Sequence, residues 1–212
     1  MNLIEFVQNN YLDMLAKTGE HLLLALISTA IAAMISIPLG IYISRYPTWK
    51  RPIIGIANIL QTIPSLALLG FLVPLPFLGG IRPRTATVAL VLYALLPLIR
   101  NTYTGITEVD PAVKEAGIAM GMTDRQLLFS VELPLASNVI FAGVRVAMVL
   151  SIGIATIAAY IGAGGLGSYI FRGIFTLDNT LILAGAVPAA LLAILTDFIL
   201  GHIEKRLAPK RA

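Results

Sequence analysis

The sequence predicts an all-α membrane protein with about five transmembrane helices, and three observations lead to this prediction. Of the 212 residues, 58% are hydrophobic and 12% are charged, about half the roughly 25% charged fraction of a soluble domain. Apolar stretches close to the ~20 residues needed to cross a lipid core recur along the chain. Alanine, glycine, serine and threonine recur within them, and such small residues allow helices to pack closely. The helices are therefore expected to form a bundle.

Five apolar stretches define the predicted spans. They cover residues 22–44, 53–75, 85–100, 139–161 and 180–201. Lipid offers no hydrogen-bond partner to a backbone N–H or C=O group, so each stretch must be helical. Prolines inside four of these stretches each remove one backbone donor and are expected to kink the helix. These prolines are Pro38, Pro64, Pro97 and Pro188.

The distribution of lysine and arginine predicts the orientation, because cytoplasmic loops carry an excess of both. Ten of them fall in segments assigned to the cytoplasm: Arg45, Lys50, Arg51, Arg100, Lys114, Arg125, Lys205, Arg206, Lys210 and Arg211. Four remain outside: Lys17, Arg82, Arg84 and Arg172. This assignment predicts an extracytoplasmic N-terminal segment (1–19), a transmembrane unit (20–200) and a basic cytoplasmic tail (201–212). Residues 1–20 lack the basic start and short apolar core of a cleavable signal peptide.

The composition excludes several kinds of site. The chain has no cysteine, which excludes disulfides, thiol chemistry and cysteine-ligated metals. His21 and His202 lie far apart and are interpreted as interfacial histidines, so no metal is predicted. The net charge of +4 fits lysine and arginine held at the cytoplasmic face, and nucleic acid is not an expected partner.

A polar connector at about 110–134 interrupts the apolar pattern between the third and fourth spans. An aspartate N-cap, a proline at the first helical position and a glycine at the helix end predict one short helix. A possible capping box opens a second helix, which a proline is expected to stop. The residues that carry these signals are Asp110, Pro111, Gly121, Thr123, Gln126 and Pro134. The connector is therefore predicted to be two short helices joined at a glycine elbow.

The first of these helices offers a surface to another protein. Ala116, Gly117 and Ala119 are small enough to let a partner pack closely, and Glu115 and Asp124 are placed to meet basic groups on it. Acidic residues outnumber basic ones in this segment, which argues against a DNA-reading helix-turn-helix because phosphate binding needs clustered lysine and arginine. A plain amphipathic connector is the remaining structural alternative.

The connector resembles the EAA loop of ABC-importer permeases. That loop reads Glu-Ala-Ala, three residues, Gly, nine residues, Ile, one residue, Leu-Pro. The residues at the same spacing in this chain are Glu115, Ala116, Gly117, Gly121, Val131, Leu133 and Pro134. Two positions depart from the pattern, Gly117 for alanine and Val131 for isoleucine, and both replacements are small or aliphatic.

The resemblance implies a type I ABC-importer permease bundle with a cytoplasmic coupling helix seated in a groove of an ATPase subunit. The implied partners are two ATPase subunits, a second permease copy or paralogue, and an extracytoplasmic solute-binding protein, in a bacterial or archaeal plasma membrane. The chain contains no G-x-x-x-x-G-K-[ST] motif. A separate subunit is therefore expected to bind ATP and Mg²⁺, and this chain is not expected to be an enzyme.

Four stretches narrow the resemblance to permeases of quaternary-amine osmoprotectant importers. They are residues 61–67, 101–106, 109–111 and 161–167. Those importers carry glycine betaine, carnitine, choline or proline betaine. Methionine-type importer permeases share the EAA loop and a glycine-rich run and are the nearest alternative. A self-contained channel or secondary transporter is the alternative from another class, and it would predict inverted repeats and several intramembrane acids.

Gly162, Gly164 and Gly167 satisfy G-x-G-x-x-G, but this run follows a predicted membrane helix rather than a strand, so nucleotide binding is not predicted. The run is interpreted as a tight re-entrant or surface turn leading into an interfacial stretch. Aromatic residues mark that stretch: Tyr169, Phe171 and Phe175.

Two further groups are candidate functional residues inside the spans. Charged side chains within spans are costly and are functional candidates by default, so Arg145 and Asp197 are predicted to face protein, where they pair with each other or with the partner permease. The alternative is that Arg145 reaches the cytoplasmic interface. The polar residues at mid-span two are candidates for the translocation pathway, with helix packing as the alternative role: Gln61, Thr62, Pro64 and Ser65.

Overall fold

A computed structural model describes residues 3–75, 80 and 82–207, and this part of the chain is almost entirely helical. Its helices are α1 (Leu3–Arg45), α2 (Lys50–Thr62), α3 (Ser65–Leu72), α4 (Pro83–Thr107), α5 (Pro111–Ala119), α6 (Asp124–Leu127), α7 (Leu133–Ala158), α8 (Gly167–Thr176) and α9 (Asn179–Leu207). A π-helical turn, Leu128–Glu132, joins α6 to α7, and short 3₁₀ turns lie at Pro47–Trp49 and Ala159–Ile161. Lys210 and Arg211 of the predicted basic tail lie outside the described residues.

Helix α1 is longer than the predicted first span. It begins at Leu3 rather than at residue 22, with one non-helical residue, Asn10 (φ −124°, ψ 15°). Its first turns pack on α8, where the rings of Phe6 and Tyr169 meet edge to face with centroids 5.8 Å apart. The segment before the predicted span is thus a helical extension that packs against the bundle.

Helix α4 lies at the centre of the bundle, between α1 and α7. Small residues allow these three helices to approach closely. A side chain added at Gly40 of α1 would lie 2.5 Å from Cβ of Thr102 in α4, and one at Gly143 of α7 would lie 2.7 Å from Cβ of Asn101. The predicted third span, 85–100, is therefore part of a longer and largely buried helix, Pro83–Thr107.

The predicted second span is not one helix. Helices α2 and α3 meet at an angle of 98°. Pro64 lacks a backbone N–H and disfavours helical geometry in the residue before it, and Ile63 is accordingly extended (φ −68°, ψ 126°). The Tyr93 hydroxyl of α4 donates to the Ile63 carbonyl, which satisfies an acceptor that the break would otherwise leave free. The expected kink at Pro64 is therefore a sharp break.

The prediction that Pro134 stops a helix is wrong. The chain runs from α6 through the π-helical turn into α7 with helical backbone geometry throughout. Pro134 directly follows the π-helical turn, and such a local π adjustment lets a helix accommodate proline without ending. Pro38, Pro97 and Pro188 also lie inside continuous helices.

Four helical segments within the described residues are long and apolar enough to cross a membrane, and the number rises to five if the broken pair α2/α3 counts as one span. The all-α bundle of about five spans predicted from the sequence is confirmed. Its two polar ends are formed by the α5–α6 hairpin and by the loop and helix α8 between α7 and α9.

Candidate functional site: the α5–α6 hairpin and its anchor

The sequence signals of the hairpin are found in its backbone. Asp110 caps α5, with its Oδ1 accepting from the Ala112 N–H at 2.9 Å. Gly121 has φ +83°, the left-handed region that favours glycine. Its N–H donates to Ile118 O at 2.9 Å, and the Met122 N–H donates to Gly117 O at 3.1 Å, the pair of bonds that closes a helix in a Schellman motif.

The second helix starts with the predicted capping box. The Gln126 N–H donates to Thr123 Oγ1 at 3.4 Å, and the Thr123 N–H donates to Gln126 Oε1 at 2.9 Å. Two otherwise unpaired donors are thereby satisfied at the start of α6. The elbow geometry is thus fixed by local hydrogen bonds on both sides of Gly121.

The hairpin has a packed inner face and an exposed outer face. Gly117 lies on the inner face, where an added Cβ would be 2.8 Å from Leu127 Cδ1. In this structure α6 covers Gly117, so a partner would not reach it directly, and its role in coupling stays a prediction. Glu115, Ala116 and Ala119 are exposed. Large apolar side chains also lie exposed on the hairpin: Val113 (41%), Ile118 (61%), Met120 (72%) and Phe129 (66%).

A buried carboxylate anchors the hairpin to the bundle. Glu132, the last residue of the π-helical turn, is 1% exposed. Arg45, the last residue of α1, donates to it through Nη2. Lys114 of α5 places Nζ 3.8 Å from the other carboxylate oxygen and donates to Ile106 O of α4 at 2.9 Å. We call Glu132, Arg45 and Lys114 the anchor cluster.

Sequence reasoning did not single out the anchor cluster. Arg45 and Lys114 entered only the charge count, and Glu132 was one of several acids in the connector. One signal was present, an acid placed between Val131 and Leu133 in a segment that continues into an apolar helix. Burial follows from the π-helical turn and from contacts across the bundle, which the local sequence pattern does not encode.

The two charged residues predicted inside spans lie in contact. Arg145 of α7 donates from Nε to Asp197 Oδ1 at 2.7 Å and from Nη2 to Oδ2 at 2.8 Å. Its Nη1 also donates to Glu204 Oε2 at 3.0 Å. Gly201 leaves room for the guanidinium, since a Cβ there would lie 2.9 Å from Arg145 Cζ. We call Arg145, Asp197 and Glu204 the α7–α9 cluster.

The pathway candidates from the sequence lie together at the break between α2 and α3. Thr62 ends α2, Pro64 precedes α3 and Ser65 begins it, with Gln61 one residue before Thr62. Thr62 and Pro64 are exposed, while Gln61 and Ser65 are partly buried. The Thr62 hydroxyl bonds within its own helix, to Ile59 O at 2.7 Å. The break therefore presents polar groups and an interrupted backbone at one level of the bundle.

The glycine-rich run forms a tight turn, as the sequence predicted, and the turn lies against α1. Gly162, Gly164 and Gly165 all have positive φ. The Gly165 N–H donates to Glu20 Oε2 at 3.0 Å. His21, interpreted from the sequence as interfacial, is instead buried (1% exposed) with Nε2 2.9 Å from Ile152 O.

Helix α8 also contacts α1. The Tyr169 hydroxyl donates to the Asp13 carboxylate of α1. Burial, together with that hydrogen bond, raises the pKa of Tyr169 above its usual range. The phenol therefore stays protonated and donating at physiological pH. Of the other two aromatic residues predicted in this stretch, Phe175 is 70% exposed and the Phe171 ring stacks at a tilt on Tyr160, with centroids 5.3 Å apart.

A family model described as the inner membrane component of binding-protein-dependent transport systems matches residues 36–209. The chain belongs to this family. The match covers the C-terminal part of α1, the whole of the hairpin and nearly all of the remaining helices. The fold and family are those of ABC-importer permeases, as the resemblance of the connector implied.

Curated relatives cover nearly the whole chain. The Carnitine transport permease protein OpuCB of Listeria monocytogenes is 44% identical over 209 residues, which cover 98% of this chain and 94% of the relative. The Choline transport system permease protein OpuBB of Bacillus subtilis is 43% identical over 208 residues, covering 98% and 94%.

A solved structure shares the fold. The MetNI methionine ABC transporter in an inward-facing conformation contains a chain that aligns with a TM-score of 0.83, covering 92% of this chain and 96% of that one, at 24% sequence identity. At that identity the likeness shows the fold alone. In the described part of the chain, no three or more histidine, cysteine, aspartate or glutamate side chains are grouped so that they could hold a metal ion.

Proposed function

We propose that this chain is the permease subunit of an ATP-driven importer for quaternary-amine osmoprotectants such as glycine betaine, carnitine or choline. The observation that carries the proposal is the α5–α6 hairpin, which is fixed to the bundle on one side and exposes apolar side chains on the other. The cargo follows the named substrates of the carnitine and choline permeases that are 43–44% identical to the chain.

The hairpin residues divide into two groups in this proposal. Asp110, Gly121 and the Leu133–Pro134 step set the geometry of the coupling segment and its junction with α7. Glu115, Ala116 and Asp124 lie on its exposed surface, where they contact the ATPase subunit. Gly117 acts indirectly, by allowing α5 to lie close to α6.

The complete importer holds two permeases, identical or paralogous, two ATPase subunits and an extracytoplasmic binding protein. ATP and Mg²⁺ are bound by the ATPase subunits, and this chain performs no catalysis. The complex lies in a bacterial or archaeal plasma membrane, with the N-terminus outside and the hairpin and C-terminus in the cytoplasm. The lysine and arginine asymmetry supports this orientation.

In this proposal, the break between α2 and α3 lines the passage through which the cargo crosses the membrane. Gln61, Thr62 and Ser65 give it polar groups, and Pro64 interrupts the helix, as is common where a segment lines a cavity rather than lipid. A permanent cation is bound well by aromatic faces, yet the described part of the spans shows no aromatic cage. Selection of cargo therefore rests with the binding protein, and the passage binds it weakly.

Uptake by the reconstituted importer tests the cargo. Proteoliposomes containing the permease, its cognate ATPase and its binding protein are expected to accumulate labelled glycine betaine, carnitine or choline in the presence of ATP. Methionine uptake with no betaine, carnitine or choline uptake would assign the chain to the methionine type. Uptake that persists without ATP or ATPase would make it a self-contained transporter.

Copurification tests the hairpin surface separately. Ile118→Asp places a charge on an exposed apolar position of α5 and is expected to release the ATPase from the detergent-solubilised complex. Phe175→Asp is the matched control, because Phe175 is also a well-exposed apolar residue but lies on α8 at the opposite polar end. Retention of the ATPase by the Ile118 variant would contradict the assigned docking surface.

A further inference from the structure

Glu132 is a charged group in an unusual position. Its side chain is 1% exposed, and a carboxylate that far from water is tolerated only when opposite charges and hydrogen bonds compensate for lost hydration. Its compensation comes from two separate segments, Arg45 at the end of α1 and Lys114 in α5. One carboxylate at the start of α7 thus joins α1 and the hairpin.

Lys114 extends the connection to α4. Its Nζ donates to Ile106 O at 2.9 Å, one residue before α4 ends at Thr107. A cation near the last carbonyls of a helix is favoured, because the helix dipole places negative charge there. The anchor cluster therefore touches α1, α4, α5 and the start of α7 within one small volume.

Apolar packing beside the anchor cluster is of another kind. The apolar packing at the base of the hairpin is centred on Ile106, Val109 and Ala136, with Leu128 of the π-helical turn against it. Apolar contacts have no preferred direction and allow sliding, whereas charged hydrogen bonds fix both distance and direction. Among the described contacts of α5, the charged hydrogen bonds of the anchor cluster fix both distance and direction, and they do so across several helices.

We propose that Glu132 is a positioning residue that makes the hairpin and the inner ends of α1, α4 and α7 move as one unit. This inference rests on the proposed function, since it assumes that an ATPase subunit displaces the hairpin. Glu132 acts through Lys114 and Arg45 and touches neither cargo nor nucleotide. Without its charge the ATPase still docks and hydrolyses ATP, but displacement of α5 no longer reaches the helices that line the passage.

The test measures cargo uptake and ATP hydrolysis in the same proteoliposomes of the complete importer. Glu132→Gln keeps the size and hydrogen-bonding capacity of the side chain and removes its charge. The expected result is a fall of at least about fivefold in cargo transported per ATP hydrolysed, in the range typical of coupling between distant sites. Glu108→Gln is the matched control, because Glu108 is an exposed acid near the same end of α4, and its ratio should stay at the wild-type value.

A second pair of variants keeps the inference testable if the Glu132 variant does not assemble. Lys114→Gln is expected to lower the cargo transported per ATP hydrolysed, as Glu132→Gln does. Lys114→Arg preserves the positive charge and should keep this ratio at the wild-type value. A merely structural role would lower uptake and hydrolysis together, in proportion to the amount of assembled complex. That outcome, or an unchanged ratio in the Glu132→Gln and Lys114→Gln variants, would overturn the proposal.

The wild-type control separates this proposal from the one on which it depends. If the wild-type complex shows no ATP-driven uptake of any cargo, the proposed function fails and the positioning role fails with it. If the wild-type complex transports normally and the Glu132→Gln and Lys114→Gln variants keep the wild-type ratio, only the positioning role is wrong.

Discussion

The anchor cluster and the α7–α9 cluster have opposite charge arrangements. The anchor cluster surrounds one acid with two bases, and its central carboxylate is 1% exposed. The α7–α9 cluster surrounds one base with two acids, and the side chains of Arg145 and Asp197 are 32% and 46% exposed. The anchor cluster connects the hairpin to several helices, whereas the α7–α9 cluster connects α7 to α9 alone.

The difference in burial determines how each cluster contributes. A partly exposed ion pair such as Arg145–Asp197 has room to rearrange, because the bundle does not enclose it on every side. A buried one is sensitive to any unmatched charge, because removing one partner leaves the other in a medium that solvates it poorly. The anchor cluster should therefore tolerate few substitutions, and the α7–α9 cluster should tolerate rearrangements that keep one base beside its acids.

The largest effect is expected from reversing charges in the anchor cluster. Combining Glu132→Arg with Arg45→Glu puts a cation at the buried position, next to Lys114. The double variant should not recover what the single Glu132→Arg change loses, and we expect a loss of about 3–5 kcal/mol in the free energy of unfolding for both. Unfolding at increasing concentrations of a denaturing detergent measures this free energy. Recovery of wild-type stability in the double variant would show that burial is not decisive here.

The same reversal in the α7–α9 cluster should behave differently. Arg145→Asp gathers three acids in one place, and Asp197→Arg puts two arginines side by side, so each single change is expected to lower uptake by about tenfold. The double variant restores one base beside two acids at partly exposed positions, and it should regain most of the uptake. If uptake by the double variant is no higher than uptake by the two single variants, Arg145 and Asp197 do not act as a pair.

The sequence anticipated the second cluster better than the first, for a physical reason. A charge within an apolar run is conspicuous, so Arg145 and Asp197 could be identified, and their opposite charges suggested a pair. Glu132 lies in a polar connector where acids are common, and only the π-helical turn and the end of α1 make it buried. Caps and the glycine elbow were predictable because their hydrogen bonds are local. The break at Pro64 was underestimated, because its compensation by Tyr93 comes from another helix.

A smaller effect is expected at Gly201, which gives Arg145 its place beside α9. A Cβ at this position would lie 2.9 Å from both Cζ and Nη1 of a guanidinium held by three hydrogen bonds. Gly201→Ala should therefore lower the apparent melting temperature in detergent, despite the better helix propensity of alanine. Gly153→Ala is the control, since nothing lies within 4 Å of the added atom and that variant should melt at or above the wild-type temperature. Equal melting of both variants would mean that the guanidinium moves freely.

The smallest effect is expected at Gly117, where this chain departs from the Glu-Ala-Ala pattern. The Cβ added by Gly117→Ala would meet Leu127 Cδ1 at 2.8 Å and Met122 Sδ at 3.3 Å. Both atoms belong to flexible side chains that can shift, and alanine gains up to about 1 kcal/mol of helix propensity over glycine. The two effects oppose each other, so the melting temperature and the uptake per ATP should both stay close to wild type. A marked loss of uptake per ATP with an unchanged melting temperature would mean that the close approach of α5 and α6, and not only the exposed face of the hairpin, matters for coupling.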